Sequence, residues 1–324
     1  MNPSPFRSVV VLGPGLLGGS IARAVRKYLP ACELRLWARR EQTLQLAREL
    51  GITTHTFADP GEAAEGAELV ILATPIGVFE ELTRRILPHI SRQAVVTDVG
   101  SVKAYVHRST GQMLTERGRL FIGSHPMAGA EKQGLEHAEA DLLQGATVAL
   151  TNPHGVPSEQ VERLADFWRA LGARPYLMEP VHHDQAVARI SHMPHILAGL
   201  CARNAAHGGA PLEDLQRLAS SGFRDTTRVC EGSPGMWSDI LWENDVAIRE
   251  VLRRSVDDLQ YLILLLENQD REGVRHWLEE AREARLSIRK DTGGGNIRKD
   301  AGEENIRKDT GGENGGAKDA GAKP

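Results

Sequence analysis

Cysteine is scarce in this chain: Cys32, Cys201 and Cys230 are the only three, and no two stand in CxxC spacing. A scattered, odd-numbered set excludes a disulfide scaffold and suits a reducing compartment. An excess of charge of either sign is also missing, since 39 Lys+Arg face 43 Asp+Glu for a net −4. That balance argues against duplex DNA or an anionic membrane surface as a partner. Long apolar runs are absent too. Leu262 to Leu266 is the longest aliphatic run, far short of the roughly 20 residues a membrane-spanning helix needs. Nor does Met1 to Gly15 carry a long apolar segment with a small-residue cleavage site, so export by a signal peptide is not expected. What is present is 324 residues with 41% hydrophobic content, enough for two modest domains. These features point to an enzyme of the cytoplasm.

Short aliphatic runs alternate with amphipathic stretches in the first part of the chain. Ser8 to Leu12, Leu34 to Trp37, Glu68 to Ala73 and Ala94 to Asp98 read as strands. Leu17, Ile21, Ala24, Val25 and Tyr28 form a helical stripe, as do Leu44, Ala47 and Leu50 ahead of Gly51. Phe79, Leu82, Ile86 and Leu87 make another, closed by Pro88. Strands separated by such helices imply parallel pairing, because each connection must cross the sheet. The spacing predicts a doubly wound α/β domain over 1–180, with further strands at Leu120 to Ile122, Thr147 to Leu150 and Arg174 to Met178.

Near Pro180 the pattern changes. Helical stretches are expected at Val181 to Ala206, Leu212 to Ser220, Trp237 to Asn268 and Glu272 to Leu286. They predict an all-α domain over 181–290, and a homodimer formed through it. Over 291–324, Asn-Ile-Arg-Lys-Asp recurs at Asn296 and Asn305 amid Gly, Glu and Thr. So few large apolar groups cannot offset the ordering entropy, and a disordered low-complexity tail without nucleic-acid affinity is expected there.

Gly13-Pro-Gly15-Leu16-Leu17-Gly18 follows the first strand and opens the first helix. G-x-G-x-x-G in that setting binds a dinucleotide: the glycines allow the turn, the backbone approach and the helix packing. The helix N-terminus then faces the pyrophosphate. An acidic residue that would accept from a ribose hydroxyl is expected after the second strand, yet Ala38 stands there, followed by Arg39 and Arg40. Two guanidinium groups suit a 2′-phosphate; they also read as solvated residues starting a helix. The pair points toward NADP, and NAD stays open.

Three more clusters fall at strand ends, where this architecture places its ligands: Thr74-Pro75, Asp98-Val-Gly-Ser101-Val-Lys103, and Gly123-Ser-His125-Pro-Met-Ala-Gly129. They bring a hydroxyl, an ammonium and an imidazole to one crevice, and His125 is the candidate acid/base. A structural histidine bonded to a loop carbonyl is the alternative. The helical part adds Ser191-His-Met-Pro194-His195, with a kink expected at Pro194, and Gly222-Phe-Arg-Asp-Thr-Thr-Arg228 ahead of Trp237. Arg228 is either an ordinary ion-pair arginine or a carboxylate ligand in a partly apolar pocket. His182, His183, His192 and His195 invite a metal reading, but no zincin motif or CxxC pair accompanies them, and no metal is expected. His182 and His183 read more simply as surface residues at a helix start.

These ordered motifs resemble those of the prephenate dehydrogenases and their arogenate and cyclohexadienyl dehydrogenase relatives. The likeness rests on G-P-G-L-L-G-G-S, D-V-G-S-V-K, S-H-P-M-A-G, S-H-M-P-H and G-F-R-D-T-T-R with Trp237 nine residues on, and it spans Val9 to about Leu286. It implies a Rossmann-type domain followed by a helical dimerisation domain. It also implies hydride transfer from prephenate to NAD or NADP with loss of CO₂, giving 4-hydroxyphenylpyruvate for tyrosine biosynthesis. In that reading His125 takes the ring-hydroxyl proton and Ser101 orients His125 or the hydroxyl. Lys103, His195, Arg228 and Trp237 would contact substrate. Gly13, Gly15, Leu16, Leu17 and Gly18, with Arg39, Arg40, Thr74, Pro75 and Ser101, would hold the dinucleotide. With the first strand at Ser8 no fused chorismate mutase domain is expected ahead of it, and the tail is too short and polar for an ACT-type module. Arogenate in place of prephenate, a β-hydroxyacid dehydrogenase or pyrroline carboxylate reductase relative, and a non-catalytic dinucleotide sensor are the competing readings.

Overall fold

The structure, a computed structural model, describes residues 4–129, 132 and 134–288; the repeat tail at 291–324 lies outside the described residues. Met1–Gln260 forms one compact unit, and a second begins at Tyr261.

In chain order, β1 (Ser8–Leu12) turns into α1 (Leu16–Tyr28), followed by β2 (Glu33–Trp37), α2 (Glu41–Glu49), a short β3 (Thr56–Phe57), α3 (Pro60–Ala64), β4 (Leu69–Leu72), α4 (Phe79–Ile86) and β5 (Val95–Asp98). Next, α5 (Ala104–Val106) runs through a π-helical stretch, His107–Gly111, into α6 (Gln112–Thr115). The α/β part closes with β6 (Leu120–Pro126), β7 (Thr147–Thr151), α7 (Ser158–Ala170) and β8 (Arg174–Leu177). One sheet holds all eight strands in the order β3-β2-β1-β4-β5-β6-β7-β8.

Every residue of β1 is buried, and alternate side chains serve opposite faces. Val9 and Val11 join Ile21, Val25, Leu36 and Trp168 in one core, while Val10 and Leu12 join Val70, Phe79 and Ile86 in the other. A strand apolar on both faces needs helices on both, which is the logic of parallel α/β sheets. The pairing departs from the all-parallel expectation at one place: β6 and β7 run antiparallel. The described part of their connection carries only the short turn Leu135–His137, and a return in the opposite direction needs no crossover helix. The antiparallel ladder also lengthens β6 through Pro126, so His125 lies within the strand, opposite Ala149, rather than beyond its end.

Beyond Leu177 the described residues carry no strand. The helices are α8 (Pro180–Val187), α9 (Met193–His207), α10 (Leu212–Leu218), α11 (Ser221–Thr227), α12 (Pro234–Glu243), α13 (Asp245–Glu267) and, in the second unit, α14 (Arg271–Ile288). The helix expected from Val181 to Ala206 is divided by a π-helical stretch, Ala188–His192. Pro194 follows, with the backbone still helical at His192 and Met193, so its missing N–H removes a donor to the preceding turn, where the helix is widened. The single helix expected from Trp237 to Asn268 is two, meeting at Asn244. Among the described residues, no helix is long and apolar enough to cross a membrane.

Candidate active site

The strand order reverses direction between β1 and β4, which opens a crevice at their carboxyl ends. Register places the surrounding groups on one edge of the sheet. Leu12 pairs with Leu72, Leu72 with Asp98, and Thr97 with Ile122. The glycine turn, Thr74-Pro75, Ser101 and His125 all lie just past that row.

The glycine turn is shaped for a ligand. Gly13 holds φ +103°, left-handed backbone that favours glycine, and a Cβ there would meet Thr74 Cγ2 at 2.6 Å. At Gly18 a Cβ would collide with the Gly13 carbonyl oxygen. Gly15 differs: it holds φ −80°, and a Cβ there would meet nothing within 4 Å. That open volume lies at the N-cap of α1, where no side chain caps the helix and no acidic residue enters the first turn. The N–H groups of that turn have no partner within the helix, so the cradle fits a pyrophosphate. Gly15→Val should therefore leave the melting temperature within about 2 °C while weakening dinucleotide binding at least about tenfold, read by nucleotide fluorescence titration. A large loss of stability with unchanged affinity would contradict it. Arg39 and Arg40 are exposed where β2 leads into α2, and Ala38 beside them is buried.

The segment after β5 is braced from below. Asp98 and Lys103 are both fully buried and form an ion pair. Lys103 Nζ also donates to Ser124 O at 2.8 Å, while Asp98 accepts from Gly100 N at 2.8 Å and Ser124 N at 3.0 Å. Burial pulls the Lys103 ammonium's pKa down and Asp98 opposes it. With 0% exposure and its ammonium engaged in this way, Lys103 is placed as an internal brace, not as the crevice-lining anion ligand the sequence suggested. The turn it holds carries Ser101, which is partly buried.

His125 is 8% exposed, and its Nδ1 lies 2.8 Å from His183 Nε2. His183 Nδ1 in turn lies 2.7 Å from Asp184 Oδ1. His183 is thus a buried member of the site, which corrects its reading as a surface residue; His182 is exposed. The missed signal was helical spacing, since His183 and Asp184 stand four residues before Val187, at the end of α8, and Ala188, just past it, both of them buried. Asn244 Nδ2 completes the cluster, donating to Asp184 O at 2.9 Å and approaching His192 Nδ1 at 3.1 Å. Burial, then the neighbouring His183, Lys103 and His192, push the His125 pKa well down. His192 falls to about 4, mainly by burial. These imidazoles are held neutral. Among the described residues, no three His, Cys, Asp or Glu side chains are grouped as metal ligands.

Farther along the helical part, His195 stacks on Trp237 with ring centroids 3.5 Å apart and planes 13° from parallel. Trp237 also meets His192 edge-on at 6.0 Å. Burial lowers the His195 pKa, and its buried Nδ1 lacks a hydrogen-bond partner. A pocket of about 510 Å³ opens beside it, lined by Ile196, Leu200, Arg203, Cys230 and Leu241. Arg228 is exposed at the start of the turn Arg228–Glu231, which packs against α9.

A doubly wound sheet with a glycine turn at its switch point, followed by a helical domain whose His183 meets His125, defines a nucleotide-dependent oxidoreductase. Residues 21–177 match the family model described as prephenate dehydrogenase, nucleotide-binding domain, and residues 179–280 match prephenate dehydrogenase, dimerization domain. The chain belongs to the prephenate dehydrogenase family. It is 31% identical to the cyclohexadienyl dehydrogenase of Zymomonas mobilis over 88% of this chain and 97% of that protein. Among solved structures it is similar to prephenate dehydrogenase from Aquifex aeolicus in complex with hydroxyphenyl propionate and NAD+. That likeness has 27% identity and a TM-score of 0.80, over 87% of this chain and 98% of the other. It is also similar to Synechocystis arogenate dehydrogenase, with 32% identity and a TM-score of 0.74, over 86% and 99% of the two chains.

Proposed function

We propose that this chain is a prephenate dehydrogenase of tyrosine biosynthesis, converting prephenate to 4-hydroxyphenylpyruvate and CO₂. The observation that carries the reading is the neutral, buried imidazole of His125 past the carboxyl end of the parallel sheet, beside the dinucleotide crevice. Its Nδ1 is engaged by His183, so Nε2 is the nitrogen left to accept a proton. His125 takes the proton of the ring hydroxyl as that carbon is oxidised to a carbonyl. The nicotinamide, when bound, supplies the acceptor for the hydride leaving the same carbon. Loss of the ring carboxylate as CO₂ sends its electron pair into the ring, and His125 returns the proton to the phenolic oxygen. Ser101 serves the same hydroxyl from the braced turn and would also help hold the dinucleotide.

Gly13, Gly15, Leu16, Leu17 and Gly18 receive the pyrophosphate, with Thr74 and Pro75 across the crevice. Arg39 and Arg40 favour NADP by charge and by their forked donors. A dianionic substrate needs cations and donors: Arg228 takes a carboxylate, and His195, steadied by Trp237, donates to the side-chain keto oxygen. That contact favours prephenate over arogenate, whose amino group replaces the ketone. Leu197, Leu200, Val256 and Leu259 are exposed on α9 and α13, which supports a homodimer through the helical domain. Free Cys32, Cys201 and Cys230 support a place in the reducing cytoplasm.

Steady-state kinetics with prephenate and arogenate, each with NAD and NADP, test the assignment. The expected result is the highest kcat/KM with prephenate and NADP. Higher efficiency with arogenate would transfer the assignment to arogenate dehydrogenase, and no turnover in any of the four reactions would overturn it in favour of a dinucleotide sensor.

A further inference from the structure

We propose that His183 and Asp184 are positioning residues that set the tautomer of His125 and draw off the positive charge it acquires on accepting a proton. The role rests on the assignment of His125 as the base, while the geometry that argues for it is independent of any substrate.

Both oxygens of Asp184 accept N–H groups. Oδ1 takes Lys103 N at 2.7 Å and His183 Nδ1 at 2.7 Å, and Oδ2 takes Ala104 N at 2.8 Å. A side chain accepting on both oxygens is a carboxylate, so His183 Nδ1 carries the hydrogen. A neutral imidazole protonated at Nδ1 has its lone pair at Nε2, the atom that faces His125 Nδ1 at 2.8 Å. His125 Nδ1 must therefore donate, and its own Nε2 holds the lone pair. The chain of constraints runs in one direction from a carboxylate to the reactive nitrogen, the logic by which a buried acid selects a tautomer.

The same contacts handle charge. Once His125 takes a proton at Nε2, its Nδ1 proton can move along the hydrogen bond to His183 Nε2. The positive charge then lies beside the Asp184 carboxylate. No bond other than these N–H bonds changes. This matters because the surroundings oppose charge on His125. Lys103 with its partner Asp98 faces it from the β5–α5 segment, His183 and Asp184 from α8, and His192 from the π-helical stretch, with His195 next to His192 in turn. Asp184 is the anion in reach, and Asn244 holds its backbone carbonyl. Asp184 also ties the start of α5 to α8 through its two backbone partners, so the element after Ser101 and the element carrying His183 keep a fixed spacing.

The test compares the full-length protein with His183→Asn, His183→Gln and Asp184→Asn, using imidazole ¹⁵N NMR without substrate and kcat and kcat/KM profiles against pH. In the parent protein, His125 is expected to show a protonated Nδ1 and an unprotonated Nε2. His183→Asn and Asp184→Asn should lower kcat on the order of 10- to 100-fold, by analogy with the loss when a partner that orients a metal-bound imidazole is removed, with KM within about twofold. The acid limb of kcat/KM should move to lower pH, because the imidazolium loses its acceptor. His183→Gln returns an acceptor oxygen near Nε2 and should recover part of kcat. A merely structural role would lower the melting temperature without moving the acid limb. Protonation of His125 at Nε2 in the parent overturns the proposal, as does kcat within about threefold of the parent in His183→Asn. If the parent turns over neither prephenate nor arogenate, the enzymatic assignment falls, and the NMR tautomer still decides the relay. Should His183→Asn fail to fold, Asp184→Asn and His183→Gln carry the same comparison.

Discussion

Replacing His125 with Asn is expected to lower kcat by about 10²- to 10⁴-fold, the range contributed by one positioned proton acceptor. KM for prephenate should stay within a factor of about three, because the residues proposed to anchor the substrate, Arg228 and His195, are untouched. Asn is close to His in reach and can turn its amide N–H toward His183 Nε2 in place of His125 Nδ1–H, so the melting temperature should change little. Dinucleotide affinity, measured by fluorescence, should also hold, since the glycine turn is remote in sequence and separately built. In the parent protein, burial has already pushed the His125 pKa well below its ordinary value. The neutral base therefore persists to lower pH, and the acid limb of kcat/KM should lie well under 6.5. Near-full turnover by His125→Asn would remove the proposed base.

How much of this was legible in the residues depends on distance along the chain. The glycine turn occupies consecutive positions after an aliphatic strand, so its chemistry and its setting can be read together, and the structure places it at the β1–β4 crevice. The strand limits follow from short apolar runs bounded by turn residues, and Ser8–Leu12 is where the pattern put it. Pairing direction is different. The reversal at β7 goes with a connection whose described part carries only a short turn, and no local pattern encodes it. The same holds for the histidine relay. His125 and His183 stand 58 positions apart, and no periodicity joins them. Asn244, at the end of α12, reaches His192 from 52 positions away. Lys103 illustrates a third failure. A lysine after a strand in this architecture reads as a crevice cation for an anionic substrate, whereas here Asp98, five residues earlier, supplies the partner that allows it to be buried.

That burial gives the largest stability effect expected in the molecule. Lys103→Met leaves the Asp98 carboxyl in the core without its cation, and breaking a buried pair from one side typically costs about 3–5 kcal/mol. In a domain of this size that corresponds to a fall in melting temperature of roughly 6–20 °C, measurable by calorimetry. Asp98 also accepts Gly100 N and Ser124 N, so its displacement would loosen both the turn bearing Ser101 and the strand bearing His125. Turnover should fall together with stability. A double variant, Asp98→Asn with Lys103→Met, removes the stranded charge and keeps an acceptor oxygen for one of the two backbone donors, which bind different oxygens of Asp98. It should regain part of the lost stability, because a neutral side chain in a buried site avoids the desolvation cost that the lone carboxylate bears. The contrast with a substrate anchor is sharp. If Lys103 acted by binding the substrate's carboxylate, Lys103→Met would raise KM at an unchanged melting temperature, and the double variant would restore nothing.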